Sequence, residues 1–123
     1  MSAKINRLAA KFLKRLKIKG KPSLDIYLLP HAEIKALKAR FFRKQTEPNV
    51  LSFPEPKSFP HPDKKGKHFL GEIYLNKDIL KKSPERTAPL LLHGILHLLG
   101  YDHIKGKDAA KMEKLERKIL GRS

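Results

Sequence analysis

Apolar side chains recur every three or four residues in four segments of the chain, which is the spacing of one face of an α-helix. The four segments are residues 3–18, 31–43, 83–99 and 107–120. Ser83 and Pro84 support the start of the third helix, because serine is a favoured N-cap and proline fits the first helical position. The pattern therefore predicts four helices.

Three shorter runs rich in β-branched and aromatic residues predict strands at residues 23–29, 50–53 and 69–76. Gly71, inside the third run, is expected where another backbone approaches closely. The order is then α-β-α-β-β-α-α, which indicates an α+β fold with a small sheet covered by helices. A chain of 123 residues has the size of one domain, 1–123. The pattern does not specify how the strands pair.

The charge of the chain points to a polyanionic partner. Lysine and arginine number 28 against 12 acidic residues, a net charge of +16. Such a surplus repels itself unless a partner neutralises it, and nucleic acid is the first candidate. An anionic membrane surface is the second, and a solvated basic surface without a partner is the third.

Cysteine is absent, so any metal must be held by nitrogen and oxygen ligands, and a reducing cytoplasm is the expected compartment. No apolar run approaches the roughly 18 residues that span a bilayer, and the N-terminus lacks the short apolar core of a secretory signal. We therefore expect a soluble cytoplasmic protein. The basic, acid-poor first helix also has some character of a mitochondrial presequence.

The third helix is apolar on nearly every face and yet carries two histidines, His93 and His97. Four residues apart, their side chains point the same way, and a shared metal ion satisfies both buried rings at once. Gly100 can end the helix in a left-handed conformation and turn His103 back towards the ion. Three nitrogen ligands with an open fourth position are typical of catalytic zinc, so the spacing predicts one zinc ion per chain.

The same histidine spacing occurs in metzincin proteases, where a glutamate follows the first histidine and acts as general base. Gly94 stands at that position here, which disfavours peptide hydrolysis. Asp102 is the nearest carboxylate, and we expect it either to orient a ligand imidazole or to be a surface aspartate at a turn. The remaining histidines lie in polar or loop contexts and are interpreted as standing outside the site: His31, His61 and His68.

The segment His93 to His103, HGILHLLGYDH, followed by Met112, closely resembles the signature of the YbeY endoribonuclease family. Residues 49–54, NVLSFP, and residues 70–73, LGEI, are similar to two further strands of that family. The resemblance covers the chain from about Phe42 to its end.

The resemblance implies that His93, His97 and His103 are zinc ligands and that Arg43 lies near the metal cleft. A guanidinium there could fork two phosphate oxygens and stabilise the charge that builds during cleavage. The loop after the second predicted helix, in which Thr46 precedes Pro48, is one residue shorter than is usual in the family. Arg40 is therefore the alternative to Arg43 for this position. In a third interpretation, Arg43 is an ordinary cation at a helix end.

The function implied by the resemblance is that of a hydrolase: a zinc-dependent, single-strand-directed endonuclease acting on ribosomal RNA, in rRNA processing and ribosome biogenesis or quality control. Its expected partners are RNA and the small ribosomal subunit or its proteins, with no membrane and no small-molecule cofactor. Two alternatives stay open, a ribosome-associated assembly factor with a mainly structural zinc and, less favoured, a metalloprotease.

Overall fold

The computed structural model describes residues 2–18, 20–41, 48–55, 67–101 and 106–121. Its helices are α1 (Ser2–Arg15), α2 (His31–Phe41), α3 (Lys77–Lys82), α4 (Thr87–Leu98) and α5 (Gly106–Ile119), and its strands are β1 (Lys21–Leu29), β2 (Val50–Pro54) and β3 (Lys67–Asn76). The predicted α+β class and element order are confirmed, with the short helix α3 as an addition. None of the described helices has both the length and the apolar run that crossing a bilayer requires.

The chain between β3 and α4 differs from the prediction of one helix starting at Ser83. Residues Pro84–Arg86 form a 3₁₀ helix, the Ser83 side chain makes no capping hydrogen bond, and α4 begins only at Thr87. The capping residue of this region is Asn76, whose side-chain oxygen accepts hydrogen bonds from the backbone N–H groups of Asp78 and Ile79 at 3.1 and 3.2 Å. An N-cap of this kind starts a helix directly at the strand end, which is why α3 exists.

The sheet has three strands in the order β1-β3-β2, so β3 lies in the middle. β1 runs parallel to β3 and β2 runs antiparallel to it. Helix α4 packs on β2 and β3, and α1 packs on α4. Leu51 points to the opposite face from Ser52 and is also fully buried, in the part of the sheet that α2 contacts. Helices thus cover one face of the sheet and part of the other.

Gly71 occupies an irregular position in β3, where the register with β1 shifts. Its φ of +139° is a conformation that other residues rarely adopt. A Cβ atom here would collide with the carbonyl oxygen of Phe53 and lie 2.9 Å from the Cα of Pro54. The predicted close approach at Gly71 is confirmed, and the neighbouring backbone is that of β2.

Helix α4 lies unusually close to the sheet at Gly94. A Cβ on this residue would be 3.1 Å from the Cγ2 of Ile73 and 3.2 Å from the Oγ of Ser52. The Ser52 hydroxyl donates a buried hydrogen bond of 3.0 Å to the Gly94 carbonyl oxygen. Strand β2 therefore holds α4 by a polar bond at the residue that follows His93.

We predict that Ser52→Ala lowers the free energy of unfolding by about 1 kcal/mol, because a buried hydrogen bond is lost while the Gly94 carbonyl stays in the core. Urea denaturation of the two proteins measures the difference.

Ser23→Ala is the matched control, since the Ser23 Oγ is buried and has no hydrogen-bond partner among the described residues. Removal of a buried hydroxyl without a partner leaves stability unchanged or raises it. Equal destabilisation by both substitutions would contradict the role given to the bond between Ser52 and Gly94.

Candidate metal centre

The candidate centre is built on α4, whose sequence TAPLLLHGILHL is apolar on nearly every face. Pro89 lies in the first turn, where backbone N–H groups have no acceptor within the helix, so the proline is tolerated. The buried residues of the helix are Leu90, Leu91, Leu92, His93, Gly94, Ile95, Leu96 and Leu98. Met112 of α5 is fully buried in the same core cluster. Burial on several sides fixes the rotation of α4 and with it the direction of its histidines.

The imidazoles of His93 and His97 converge. Their Nε2 atoms are 3.0 Å apart, and the ring centroids are 4.6 Å apart with the planes at 62°. His93 is only 7% exposed, whereas His97 is half-buried. The two rings thus present their outer nitrogens to one point at the edge of the core.

The donor set of this pair fits a zinc ion. Tetrahedral coordination with Zn–N bonds of about 2.0–2.1 Å places two ligand nitrogens roughly 3.3–3.4 Å apart, a few tenths of an ångström from the separation found here. Without a metal, the same atoms can share one hydrogen, because a neutral imidazole has one donor and one acceptor nitrogen. Within the described residues, no group of three or more potential ligands occurs. Zinc therefore stays a prediction that two converged nitrogens support.

The end of α4 agrees with the prediction made for Gly100. Its φ is +99°, its N–H donates to the His97 carbonyl at 3.0 Å, and the Tyr101 N–H donates to the Leu96 carbonyl at 3.0 Å. These two bonds form a Schellman motif, which ends the helix at Leu98, directly after His97. The predicted third ligand His103 and its neighbour Asp102 lie outside the described residues, so both assignments stay predictions.

The two arginine candidates fall on either side of the described boundary. Helix α2 ends at Phe41, so Arg43 lies outside the described residues. Arg40 lies in the last turn of α2 and is exposed. The choice between the two arginines stays as open as the sequence left it.

Gly94 has a structural reason to be glycine. The position faces β2 and β3, where even a Cβ would be tight against Ile73 and Ser52. A glutamate there would have to displace the sheet or the helix, so the metzincin general base cannot be accommodated in this packing. The disfavoured protease interpretation loses its catalytic carboxylate on steric grounds.

A polar network that the sequence did not predict joins the end of β3 and the residue before β2 to the first residues of α2 and α3. Asn76 is fully buried, and its Nδ2 donates to the Oδ1 of Asn49 at 3.2 Å and lies 2.9 Å from the Nδ1 of His31. The His31 backbone N–H donates to the Asp78 carboxylate at 2.8 Å. The spacing of Asn76 and Asp78 after a strand is an N-cap signal that could have revealed part of this network. The side chains of His61 and His68 lie outside the described residues.

Comparison with known proteins gives a consistent result. The sequence model of the family described as Endoribonuclease YbeY matches residues 1–123, which includes α1 and so extends beyond the Phe42 limit of the resemblance. The protein named Endoribonuclease YbeY from Chelativorans sp. (strain BNC1) is 39% identical to this chain, in an alignment that covers 80% of this chain and 64% of the relative. The counterpart in Nitrobacter hamburgensis has 37% identity over 84% of this chain and 59% of the relative.

A third relative, from Pelagibacter ubique, is 36% identical over 90% of this chain and 76% of its own length. The chain spans less than two thirds of the length of the first two relatives. With a family match across all its residues and identities of 36–39% to these relatives, the chain belongs to the Endoribonuclease YbeY family.

Proposed function

We propose that this protein is a zinc-dependent endoribonuclease that cleaves single-stranded RNA during maturation of ribosomal RNA. The observation that carries the proposal is the convergence of the His93 and His97 Nε2 atoms, 3.0 Å apart on a buried helix that ends at Leu98, directly after His97. Family membership supports RNA as substrate, since the relatives are named endoribonucleases. Small-subunit ribosomal proteins are proposed as further partners.

In this proposal His93, His97 and His103 hold the zinc ion. When bound, zinc supplies a doubly charged Lewis acid that polarises a phosphoryl oxygen and makes water more acidic. The burial of His93 and the bond between Ser52 and Gly94 keep the first imidazole in one orientation. In this proposal Gly100, in its left-handed conformation, ends α4 and turns the chain so that His103 can approach the ion. Asp102 is proposed to orient one of the ligand rings.

Arg43 is proposed to contact the phosphate under attack. A guanidinium cannot ligate zinc, because it is always protonated and offers only donors. Its two parallel N–H groups can bind two phosphate oxygens and stabilise the charge that develops on them. Arg40 is the alternative for the same role.

For the metal, we predict about one zinc per chain in the purified protein and loss of most of it in His97→Ala, because the remaining ligands bind far more weakly. Elemental analysis after dialysis measures the stoichiometry. His31→Ala is the control, since that ring lies against Asn76 and not against the converged pair, and it should retain its zinc. Full zinc occupancy in His97→Ala would remove the proposed centre.

For the substrate, we predict cleavage of single-stranded rRNA fragments but no cleavage of unfolded protein, because Gly94 leaves no room for the base that peptide hydrolysis needs. Both substrates are incubated with the zinc-loaded protein and with its His93→Ala and His97→Ala variants, prepared identically. RNA cleavage should vanish in both variants. Equal RNA cleavage in all three preparations would indicate a contaminating nuclease, and histidine-dependent proteolysis would refute the proposal.

For the arginine, we predict that Arg43→Ala keeps its zinc and its stability but loses cleavage rate by about 10²-fold or more, the effect of removing one transition-state donor. Zinc content, urea denaturation and the cleavage rate are measured on the same preparation, in parallel with Arg40→Ala. A rate loss confined to Arg40→Ala would transfer the role to Arg40. Loss of zinc together with rate in Arg43→Ala would show that the arginine supports the metal site instead.

A further inference from the structure

Helix α1 carries a straight row of cations on its exposed side. Lys4, Arg7, Lys11 and Lys14 are all exposed and are spaced three or four residues apart. With 3.6 residues per turn, these four positions fall within an arc of about 80° and extend over about 15 Å. We call this row the α1 stripe. The buried residues of α1 lie on the opposite side of the helix: Ile5, Ala9, Phe12 and Leu13.

Helix α1 itself contains no acidic residue, and the nearest carboxylates come from other elements: Asp25 lines a pocket with Lys14, and Glu85 lines a pocket with Lys4. The first acidic residue of the chain is Asp25, in β1, and α1 contains none. In the part of the chain that the structure describes, none of the four stripe side chains takes part in a hydrogen bond or ion pair. Like charges three and four residues apart destabilise an isolated helix, so the row opposes helix formation unless an anion covers it.

We propose that the α1 stripe binds the phosphate backbone of the RNA substrate, outside the nucleotides that enter the metal centre. The proposal rests on the proposed endoribonuclease function. A nucleic acid strand advances about 3.4 Å per nucleotide, so the stripe matches about four nucleotides. Contacts of this kind position the RNA without reading its sequence.

The position of α1 suits this role because α1 packs directly on α4, the helix that carries His93 and His97. The Arg15 guanidinium donates a hydrogen bond of 2.7 Å to the carbonyl oxygen of Ile119, at the end of α5. This bond ties α1 to a second helix that packs on α4. The stripe is therefore fixed relative to the helix that carries the candidate metal centre.

An anionic membrane is the other polyanionic surface, but the construction of α1 argues against it. Amphipathic helices bind membranes by burying their apolar face between lipids. In α1 that face is already part of the core, since Ile5 and Phe12 are only 3% and 2% exposed. Only the charged side is accessible, and it offers charge without the apolar area that membrane insertion requires.

The uncovered part of the sheet is a poor alternative for phosphate. Tyr27 and Tyr74 stack there with their centroids 5.0 Å apart, and Asp25 and Glu72 are register partners on the same face. The Asp25 carboxylate raises the pKa of Tyr27, and burial together with Glu72 raises the pKa of Tyr74. A face with two carboxylates repels a polyanion, so the RNA backbone is directed towards the helical side.

The test compares two triple variants with equal loss of charge. Arg7→Gln, Lys11→Gln and Lys14→Gln remove most of the stripe, while Lys35→Gln, Lys81→Gln and Lys82→Gln remove three exposed cations on α2 and α3. Glutamine is a good helix former, so both variants should fold, which urea denaturation checks. Binding to a fluorescent single-stranded RNA is measured over a series of salt concentrations.

The stripe variant should bind RNA roughly tenfold or more weakly at low salt, and its log-log salt slope should be smaller by about 2, at about 0.7 per phosphate contact. Its KM for RNA cleavage should rise while kcat stays unchanged, which is the signature of lost ground-state binding. Equal losses in the two variants would show that general charge, and not the stripe, binds RNA. Loss of binding to phosphatidylserine vesicles with RNA binding unchanged would assign the stripe to a membrane surface and overturn the proposal.

The His97→Ala variant separates this inference from the proposed function. Its RNA affinity should fall less than that of the stripe variant, and its log-log salt slope should change by no more than about one phosphate contact, because the stripe is intact, while cleavage is lost. If the unchanged protein binds RNA through the stripe but never cleaves it, the enzymatic proposal fails and the binding surface stands. If cleavage is normal and the stripe variant has unchanged affinity and KM, the binding surface fails and the enzymatic proposal stands.

Discussion

The close packing of α4 on the sheet is the constraint on which the rest of the structure depends. Gly94 brings the helix so near to Ile73 and Ser52 that even a Cβ atom would be tight between them. This contact fixes the rotation of α4 and so directs His93 and His97 to one point at the edge of the core. Two imidazoles in such apolar surroundings need partners, and a shared metal satisfies both. Packing and candidate chemistry are thus two consequences of one helix position.

Buried hydrogen bonds add to the constraints that apolar packing places on the positions of the helices. The bond between Ser52 and the Gly94 carbonyl links one strand residue to the turn that carries His93. Asn76 serves a similar purpose at the other end of the sheet, where it joins Asn49 to the start of α3. Each network contains a buried hydrogen bond, and each fixes the relative position of two elements.

Charge is distributed unevenly over the molecule. Acidic and aromatic side chains share the uncovered face of the sheet, where Asp25 raises the pKa of Tyr27, and burial together with Glu72 raises the pKa of Tyr74. Cations without ion-pair partners among the described residues line the exposed side of α1. A chain with a net charge of +16 therefore still carries a local acidic surface.

The sequence by itself determined the α+β class, the element order, the close backbone approach at Gly71 and the left-handed helix end at Gly100. Periodicity and glycine placement are local properties of the chain. It also determined that His93 and His97 share a helix face. The strand order, the reason for glycine at position 94 and the caps formed by Asn76 depended on tertiary structure, because each involves residues from elements distant in the chain. Ser83 is a case in which a local signal gave the wrong helix start. A 3₁₀ helix follows it, and α4 begins only at Thr87.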